Sequence, residues 1–511
     1  MTTLLYSMAS RAFLLLEYGI ISSHNLKMKK LISFVVYLSV FLSSLYLPTD
    51  PDLGWHLKYG EYFFRTGKIL RENIFSTMMP DYKWVNHSWA SDLLVYISYE
   101  TQGFLGVTLL GAFIVTLTFY FFSKAFKLSF WDKAFLFPII LFLVSNVNAF
   151  AFRSQLTSYL FTGILFYIIS AYNKNPKNLL WTIPLFLIWA NFHGGFILGL
   201  ILLVSYLGIK KAIEIKNNFN VKSLPNLIKF ELLVLLGILA ATLINPFGYG
   251  VYLESFNHFG NPWLKYISEW SPFSDLSSRW WNLIIFMNMY LIGVFILFLT
   301  GKLQDRLPIV LLILPFIALS FYERRYAWSM YYISFPVLLA LSDFFKPKLK
   351  PNQIIAASII SIISLVFIIN AKSPVEKYLT MNWQKYCLSP ANLCSYDAIE
   401  FISENNLSGN LSTPYSWGGW MIWNFPKIKP SIDGRMPAWK DKNGYSAFAQ
   451  YYTNVQDWKS IDNSSYDTVL VLKSKPMYKR LLKLTKEEKW KLVYRDDYSG
   501  IFVRTGDPFK N

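Results

Sequence analysis

Apolar residues run through this chain in long blocks separated by short polar segments, and the blocks are the length that a bilayer core of about 30 Å demands, roughly 15–20 residues. Soluble core helices would be shorter and would show a polar stripe every three to four residues. The pattern predicts eleven spans, at Leu31–Leu47, Phe104–Phe122, Ala134–Val147, Leu156–Ala171, Leu179–Ala190, Phe196–Leu207, Leu232–Ile244, Leu283–Leu299, Pro308–Phe321, Tyr326–Leu341 and Ile354–Ile369. From about Ala371 the pattern becomes that of an ordinary soluble domain. Helices are expected at Asp397–Asn405, Trp417–Asn424, Ser446–Thr453 and Met477–Leu484. Strands are expected at Asn410–Ser412, Lys429–Ile432, Thr468–Leu472, Lys491–Tyr494 and Ile501–Arg504. Helices alternating with strands predict a small α/β layer domain. The expected fold class is thus a multi-pass α-helical membrane protein, residues 31–370, with a long first loop at 48–103 and a C-terminal α/β domain at 371–511.

Composition agrees with this division. Hydrophobic residues make up 54% of 511 residues and mean hydropathy is +0.32, too apolar for a soluble chain of this size. Aromatics are 18%, many near block ends, where the amphipathic rings of Tyr and Trp suit the headgroup level. The net charge of +18 is spread over loops between blocks and carries no basic groove motif, which reads as topogenic Lys and Arg in contact with anionic lipid, not as nucleic-acid binding. Alternate loops hold most of the charge, among them Lys27, Lys29 and Lys30; Lys124, Lys127 and Lys133; Lys210, Lys211, Lys216 and Lys222. The positive-inside rule makes these loops and the N-terminal segment 1–30 cytoplasmic, and an odd number of spans puts the C-terminal domain outside. Met28-Lys29-Lys30 ahead of an apolar run resembles the start of a signal-anchored chain; otherwise Leu4–Ile21 is an interfacial helix. Cys387 and Cys394 fall on the outer side, where they form a short-loop disulfide or remain two thiols.

The span centres hold essentially no ionisable side chains, which argues against an ion-coupled pump or symporter. The outer loops are different. The first contains Asp50-Pro51-Asp52-Leu53-Gly54-Trp55-His56 and Trp84-Val85-Asn86-His87-Ser88-Trp89. Later turns carry Arg153, Asn191-Phe192-His193-Gly194-Gly195, Asn245-Pro246-Phe247-Gly248, His258, Glu269 and Glu323-Arg324-Arg325. Four of the five histidines lie on this side. Singly, each has a structural explanation: a helix cap for Asp50 or Asp52, a tight turn for His193, a headgroup contact for Arg324 and Arg325. Jointly, acids, histidines and arginines at one depth of one face suggest a site.

An Asp-x-Asp directly after the first span, amphipathic helices, many spans and an outer α/β domain resemble the GT-C superfamily, membrane glycosyltransferases that use polyprenyl-phosphate sugar donors. The Asp50–His56, Trp84–Trp89 and Trp189–Gly195 motifs are similar to those of a bacterial group of GT-C-like membrane proteins. The resemblance implies that Asp52, with Asp50 beside it, is the first-loop acid, acting as general base or metal ligand. It implies Glu269 as a later metal-binding acid, with Mg or Mn as the divalent cation. His56 and His87 join Asp50 and Asp52 as catalytic candidates; Arg153, Arg324 and Arg325 are candidates for holding the donor phosphate, and His193, Glu269, Trp417, Asp433 and Arg435 are further substrate-binding candidates. Trp417-Gly418-Gly419-Trp420 is similar to an acceptor motif of oligosaccharyltransferases but lacks its Asp. Asp433 and Arg435, expected at a strand's end, either reach the site or fix the domain as a salt bridge. The expected partners are a polyprenyl-phosphate sugar donor, membrane lipids and a glycan, lipid or protein acceptor, at the cell membrane. A non-enzymatic transporter or assembly scaffold and a lipid-linked glycan polymerase or ligase are the alternatives.

Overall fold

The structure is a computed structural model and describes residues 26–145, 150–217, 224–272, 280–346, 375–390, 392–456 and 458–506. Leu4–Ile21 and the span expected at Ile354–Ile369 lie outside the described residues. Every other expected apolar block falls on helix. The helices are α1 (Leu26–Ser43), α2 (Leu53–Thr66), α3 (Trp89–Ala125), α4 (Phe130–Ser145), α5 (Gln155–Tyr172), α6 (Thr182–Phe192), α7 (Phe196–Asn217), α8 (Leu224–Thr242), α9 (Gly250–His258), α10 (Trp280–Leu299), α11 (Leu303–Tyr322), α12 (Ala327–Ile333) and α13 (Phe335–Phe344). Four of them, α3, α7, α10 and α11, are long and apolar enough to cross a membrane by length and composition among the described residues. Of the remaining apolar helices, some, such as α5, match or exceed their expected blocks, and others fall short of them. The block at Tyr326–Leu341, for one, is broken at Ser334 into α12 and α13.

The boundary between the first loop and the second apolar block has a local cause. Helix α3 is two helices joined at Gln102 and Gly103, and Gly103 takes φ 58°, ψ −143°. A side chain would not tolerate that conformation, so glycine stands at the bend. Trp89–Thr101 therefore belongs to the first loop, and the apolar helix starts at Phe104, where the hydropathy pattern places it.

The C-terminal part holds α14 (Val375–Leu379), α15 (Trp383–Cys387), α16 (Tyr396–Glu404), β1 (Leu411–Ser412), α17 (Gly418–Asn424), α18 (Ala447–Gln456), β2 (Thr468–Leu472), α19 (Pro476–Lys486), β3 (Trp490–Arg495) and β4 (Ser499–Arg504). The sheet order is β1-β2-β4-β3, with β1 and β2 parallel and the other pairs antiparallel. Alternation along the central strands gives the sheet two apolar faces. Val469, Val471 and Phe502 pack with Leu481 and Leu484 of α19, while Leu470, Ile501 and Val503 join the main core with Ile399 and Ile402 of α16.

The strand expected at Lys429–Ile432 is absent. Pro430 has no N–H for a ladder, and Ser431 instead trades hydrogen bonds with Thr413 through both side chains. The carbonyls of Pro430 and Ser431 accept from the N–H groups of Thr77 and Met78, at 3.0 Å each. This extended segment thus ties the C-terminal part to the first loop. A second tie is backbone on backbone. A Cβ at Gly54 of α2 would overlap the Gly419 carbonyl, and one at Gly419 would overlap the Pro51 carbonyl. The two glycines let α17 lie directly on the Asp50–Gly54 turn.

Candidate functional site

Asp50, Pro51 and Asp52 form a tight turn into α2. The Asp52 N–H donates to Oδ1 of Asp50 at 3.1 Å and the Leu53 N–H to the Asp50 carbonyl at 3.1 Å. The hydroxyl of the fully buried Tyr386 also donates to that carbonyl, and Asn392 donates to the Thr49 carbonyl at 3.4 Å. The loop that follows Tyr386 and carries Asn392 is closed by the Cys387–Cys394 disulfide, which settles the two-thiol alternative. The turn is therefore braced from the C-terminal side by a cross-linked loop.

Asp52 occupies the N-cap position of α2, yet its side chain makes no capping hydrogen bond. Capping does not explain this acid. Its carboxylate lies against Gly434, where any Cβ would overlap it. Burial pushes the carboxyl up to about 7, and the Asp50 carboxylate beside it pushes the same way.

Arg153 spans the two acids on either side of it. Its Nε is 2.7 Å from Oδ2 of Asp50 and its Nη1 is 2.5 Å from Oε2 of Glu269. Oε1 of Glu269 takes a second guanidinium, Arg325 at 3.0 Å, which lies 4.4 Å from the Trp270 ring centroid. Burial opposes the Glu269 charge, but Arg153 and then Arg325 outweigh it and hold the carboxyl down at about 2. Burial likewise opposes the Arg153 charge, and the carboxylates of Asp50 and Glu269 more than restore it.

His56 is held from behind. Its Nδ1 is 2.6 Å from Oδ1 of Asp92, whose other oxygen accepts from Asn86 at 2.6 Å. The Oδ1 of Asn86 accepts in turn from the Ser88 N–H and hydroxyl. Asp92 and Asn86 are both buried. Burial disfavours the imidazolium, but the Asp92 carboxylate, followed by Asp52 and Asp50, raises its pKa above the ordinary value. Asp92 was not among the sequence candidates. The available signal was an acid sharing a helix face with the apolar Val95 and Tyr96, where an unpaired charge would not be tolerated.

Burial disfavours the charged forms of His87 and His193. Burial lowers His87 to about 3, helped by the charges of His258, Arg325 and His56 around it, and its Nδ1 has no hydrogen-bond partner among the described residues. His193 is lowered well below its usual value, by burial first and then by His87. Its Nδ1 accepts from the Gly195 N–H at 3.0 Å and contacts the Ser158 hydroxyl at 2.7 Å, while Ser158 accepts from Trp189 at 2.8 Å. The two rings are 6.0 Å apart, and Gly194 is the residue that leaves room for His87. Asn191 holds neighbouring backbone in place, donating to the Leu187 and Ile244 carbonyls and accepting from Trp89. The Asn191–Gly195 motif is therefore a packed turn that presents one histidine to another.

Asp433 and Arg435 pair with each other, at 2.7 Å through Nε and 2.7 Å through Nη2, with both side chains fully buried. Trp417 is also wholly buried, and Gly418 and Gly419 are packing glycines beside it. Arg324 is buried, with its backbone N–H on the Ser271 carbonyl. Among the described residues no three His, Cys, Asp or Glu side chains are grouped to hold a metal ion. Arg153 stands between Asp50 and Glu269, and both acids are already neutralised by guanidinium. The residues as placed do not fit a divalent cation at Asp52 and Glu269. A cleft of about 300 Å³ opens between Phe256, Phe259 and Asn261 on one side and Ala438 and Lys440 on the other, apart from the acid cluster.

No family model matches this sequence, and no curated protein matches it. The functional reading therefore rests on the arrangement of these side chains.

Proposed function

We propose that the chain is a multi-pass membrane glycosyltransferase that moves a sugar from a polyprenyl-phosphate donor to an acceptor at the outer face of the cell membrane. In this reading the expected eleven spans hold, the N-terminus is cytoplasmic and the C-terminal domain lies outside. The Cys387–Cys394 disulfide supports that side, since disulfides persist in oxidising compartments.

The observation that carries the reading is Asp52: an acid free of capping duty, pushed up to about 7, two residues from an acid that holds Arg153, which Glu269 in turn ties to Arg325. A general base works best with a pKa near the working pH. Asp52 takes the proton of the acceptor hydroxyl as its oxygen attacks the anomeric carbon. The bond from that carbon to the phosphate oxygen breaks, and the phosphate leaves with the electron pair. Arg153 and Arg325, now sharing Glu269, supply the planar donors that a leaving phosphate needs. One displacement inverts the anomeric carbon, with oxocarbenium-like character at the transition state. His56, held by Asp92, is biased toward its charged form beside the two aspartates.

The test uses the full chain purified in lipid nanodiscs with its co-purified lipids analysed by mass spectrometry, then supplied with a mixed pool of polyprenyl-phosphate sugars. Release of free polyprenyl phosphate by the wild-type chain, lost in Asp52→Asn without a fall in Tm, is the expected result. Bulk phospholipid alone, with no turnover and full cellular function in Asp52→Asn, would place a scaffold or transporter ahead.

A further inference from the structure

Helix α9 is inside out. Its exposed side consists of Tyr249 at its N-cap, Leu253 and Phe256, which are 71%, 53% and 64% accessible. Their spacing of four and three residues puts them on one stripe. The opposite side turns Val251, Glu254 and His258 inward, and Glu254 is only 6% accessible. In water this polarity costs twice: large apolar side chains face solvent, and a carboxyl is taken from it. Burial indeed pushes Glu254 up to about 7.

Both ends of α9 join apolar helices where those helices stop. It follows closely on α8, where Leu239 near the helix end and Leu243 and Ile244 just past it are exposed, and Tyr252 is hydrogen-bonded to Thr242 at 2.5 Å. Just past its C-terminal end, the exposed Phe259 packs on Tyr322, the last residue of α11, with centroids 5.4 Å apart. The outward stripe therefore continues the apolar surface of the helical bundle at the level where it meets water. Its inward side continues toward the site. The His258 ring stacks on Trp270, which carries Arg325, which in turn binds Glu269.

We propose that α9 lies in the plane of the membrane, with Tyr249, Leu253 and Phe256 in the acyl region of a phospholipid leaflet, and forms the wall between that leaflet and the Glu269–Arg325 cluster. An in-plane helix buries its apolar face about 5–10 Å below the headgroup boundary. The inference rests on the membrane reading of the chain but not on the chemistry proposed for the site.

The two native cysteines are joined, so one introduced cysteine is the sole free thiol. Leu253→Cys and Phe256→Cys are each labelled with a small fluorophore in the full chain, in nanodiscs of phosphatidylethanolamine and phosphatidylglycerol. Quenching is read from iodide in water and from a nitroxide on an acyl chain close to the headgroup. Phe295→Cys on the exposed side of α10 is the lipid reference, and Lys442→Cys on the C-terminal part is the water reference. The expected result is quenching of both α9 labels by the lipid nitroxide, with shielding from iodide like that of Phe295→Cys. Iodide quenching as strong as at Lys442→Cys overturns the proposal, and so does shielding from both quenchers, which would mean that protein covers the stripe. If Phe295→Cys also reports water, the membrane reading has failed and the inference falls with it; a lipid signal there with a water signal at α9 removes the inference alone.

Discussion

Removing either member of the Asp433–Arg435 pair should destabilise the protein more than removing both. The guanidinium gives Asp433 two bonds of 2.7 Å, gives Asn73 one of 2.9 Å and Ser76 one of 3.2 Å, and lies 4.9 Å from the Trp84 ring and 5.3 Å from that of Trp439. Neither side chain reaches water. Asp433→Leu strands a buried cation, and Arg435→Met strands a buried anion. Each is expected to cost about 3–5 kcal/mol, the usual penalty for leaving one buried charge without its partner. The double variant leaves no charge behind and fills most of the volume, so it should cost less than either single change. The interaction energy is then several kcal/mol, well outside the few tenths seen for independent sites. Denaturant unfolding of the purified full chain, followed by tryptophan emission, measures all three; Trp84 and Trp439 report from the pair itself. Single changes costing under about 1 kcal/mol, or a double equal to their sum, would refute the argument. Unchanged stability with lost donor binding would instead assign the two residues to the substrate.

Four further outcomes follow from the same geometry. Asp92→Asn should leave the fold in place but remove the charge that raises His56; turnover should fall about 10–100-fold and the pH profile should move, whereas an unmoved profile would make Asp92 a packing residue. Gly434→Ala drives a methyl into the Asp52 carboxylate and should cost about 1–3 kcal/mol in stability and, by displacing Asp52, on the order of 100-fold in rate, both read on the purified variant. Replacing Cys387 and Cys394 together by Ser should cost about 2.5 kcal/mol from the short loop and lower Tm, as should reduction of the wild-type chain; an unchanged Tm would show that Tyr386 needs no brace. Asp52 and Glu254 are both held above their unfolded pKa values, so the folded chain binds more protons between about pH 4 and 7, and stability should fall as pH rises through that window while Asp52-dependent turnover rises toward and above about pH 7.

Much of this fold is written in local pattern. Apolar blocks give helices because each covers a contiguous stretch, and the loop-to-helix boundary at Gly103 is a single backbone requirement. The strand Thr468–Leu472 is legible because it is a short apolar run with turn residues on both sides. The segment Lys429–Ile432 has a similar look but takes its hydrogen bonds from Thr77, Met78 and Thr413, partners remote in sequence that no local pattern reveals. Span length is likewise hidden, since hydropathy does not say where Ser334 will interrupt a helix. In the site, clustering was readable and roles were not. Asp52 looks the same on paper whether it caps α2 or faces Gly434. The Trp417–Trp420 motif looks like a binding motif, but Gly419 serves backbone contact with Pro51 and Gly54.

The arrangement also says why the C-terminal part cannot be an independent appendage. The turn bearing Asp50 and Asp52 has few ways to hold itself. Asp50 is committed to Arg153, and Asp52 is held in an environment that disfavours its charge. Its position is set from outside, by Tyr386 on the Asp50 carbonyl, by Gly419 on Pro51 and by Gly434 on Asp52 itself. All three contacts come from beyond residue 375. A carboxylate kept at a pKa near neutral is a local destabilisation, and the surrounding packing must over-determine it for it to persist. Separating the two parts would release Asp52 to water and return it toward an ordinary acid. The acid belongs to the membrane part by sequence, but its chemistry belongs to the contact between the two.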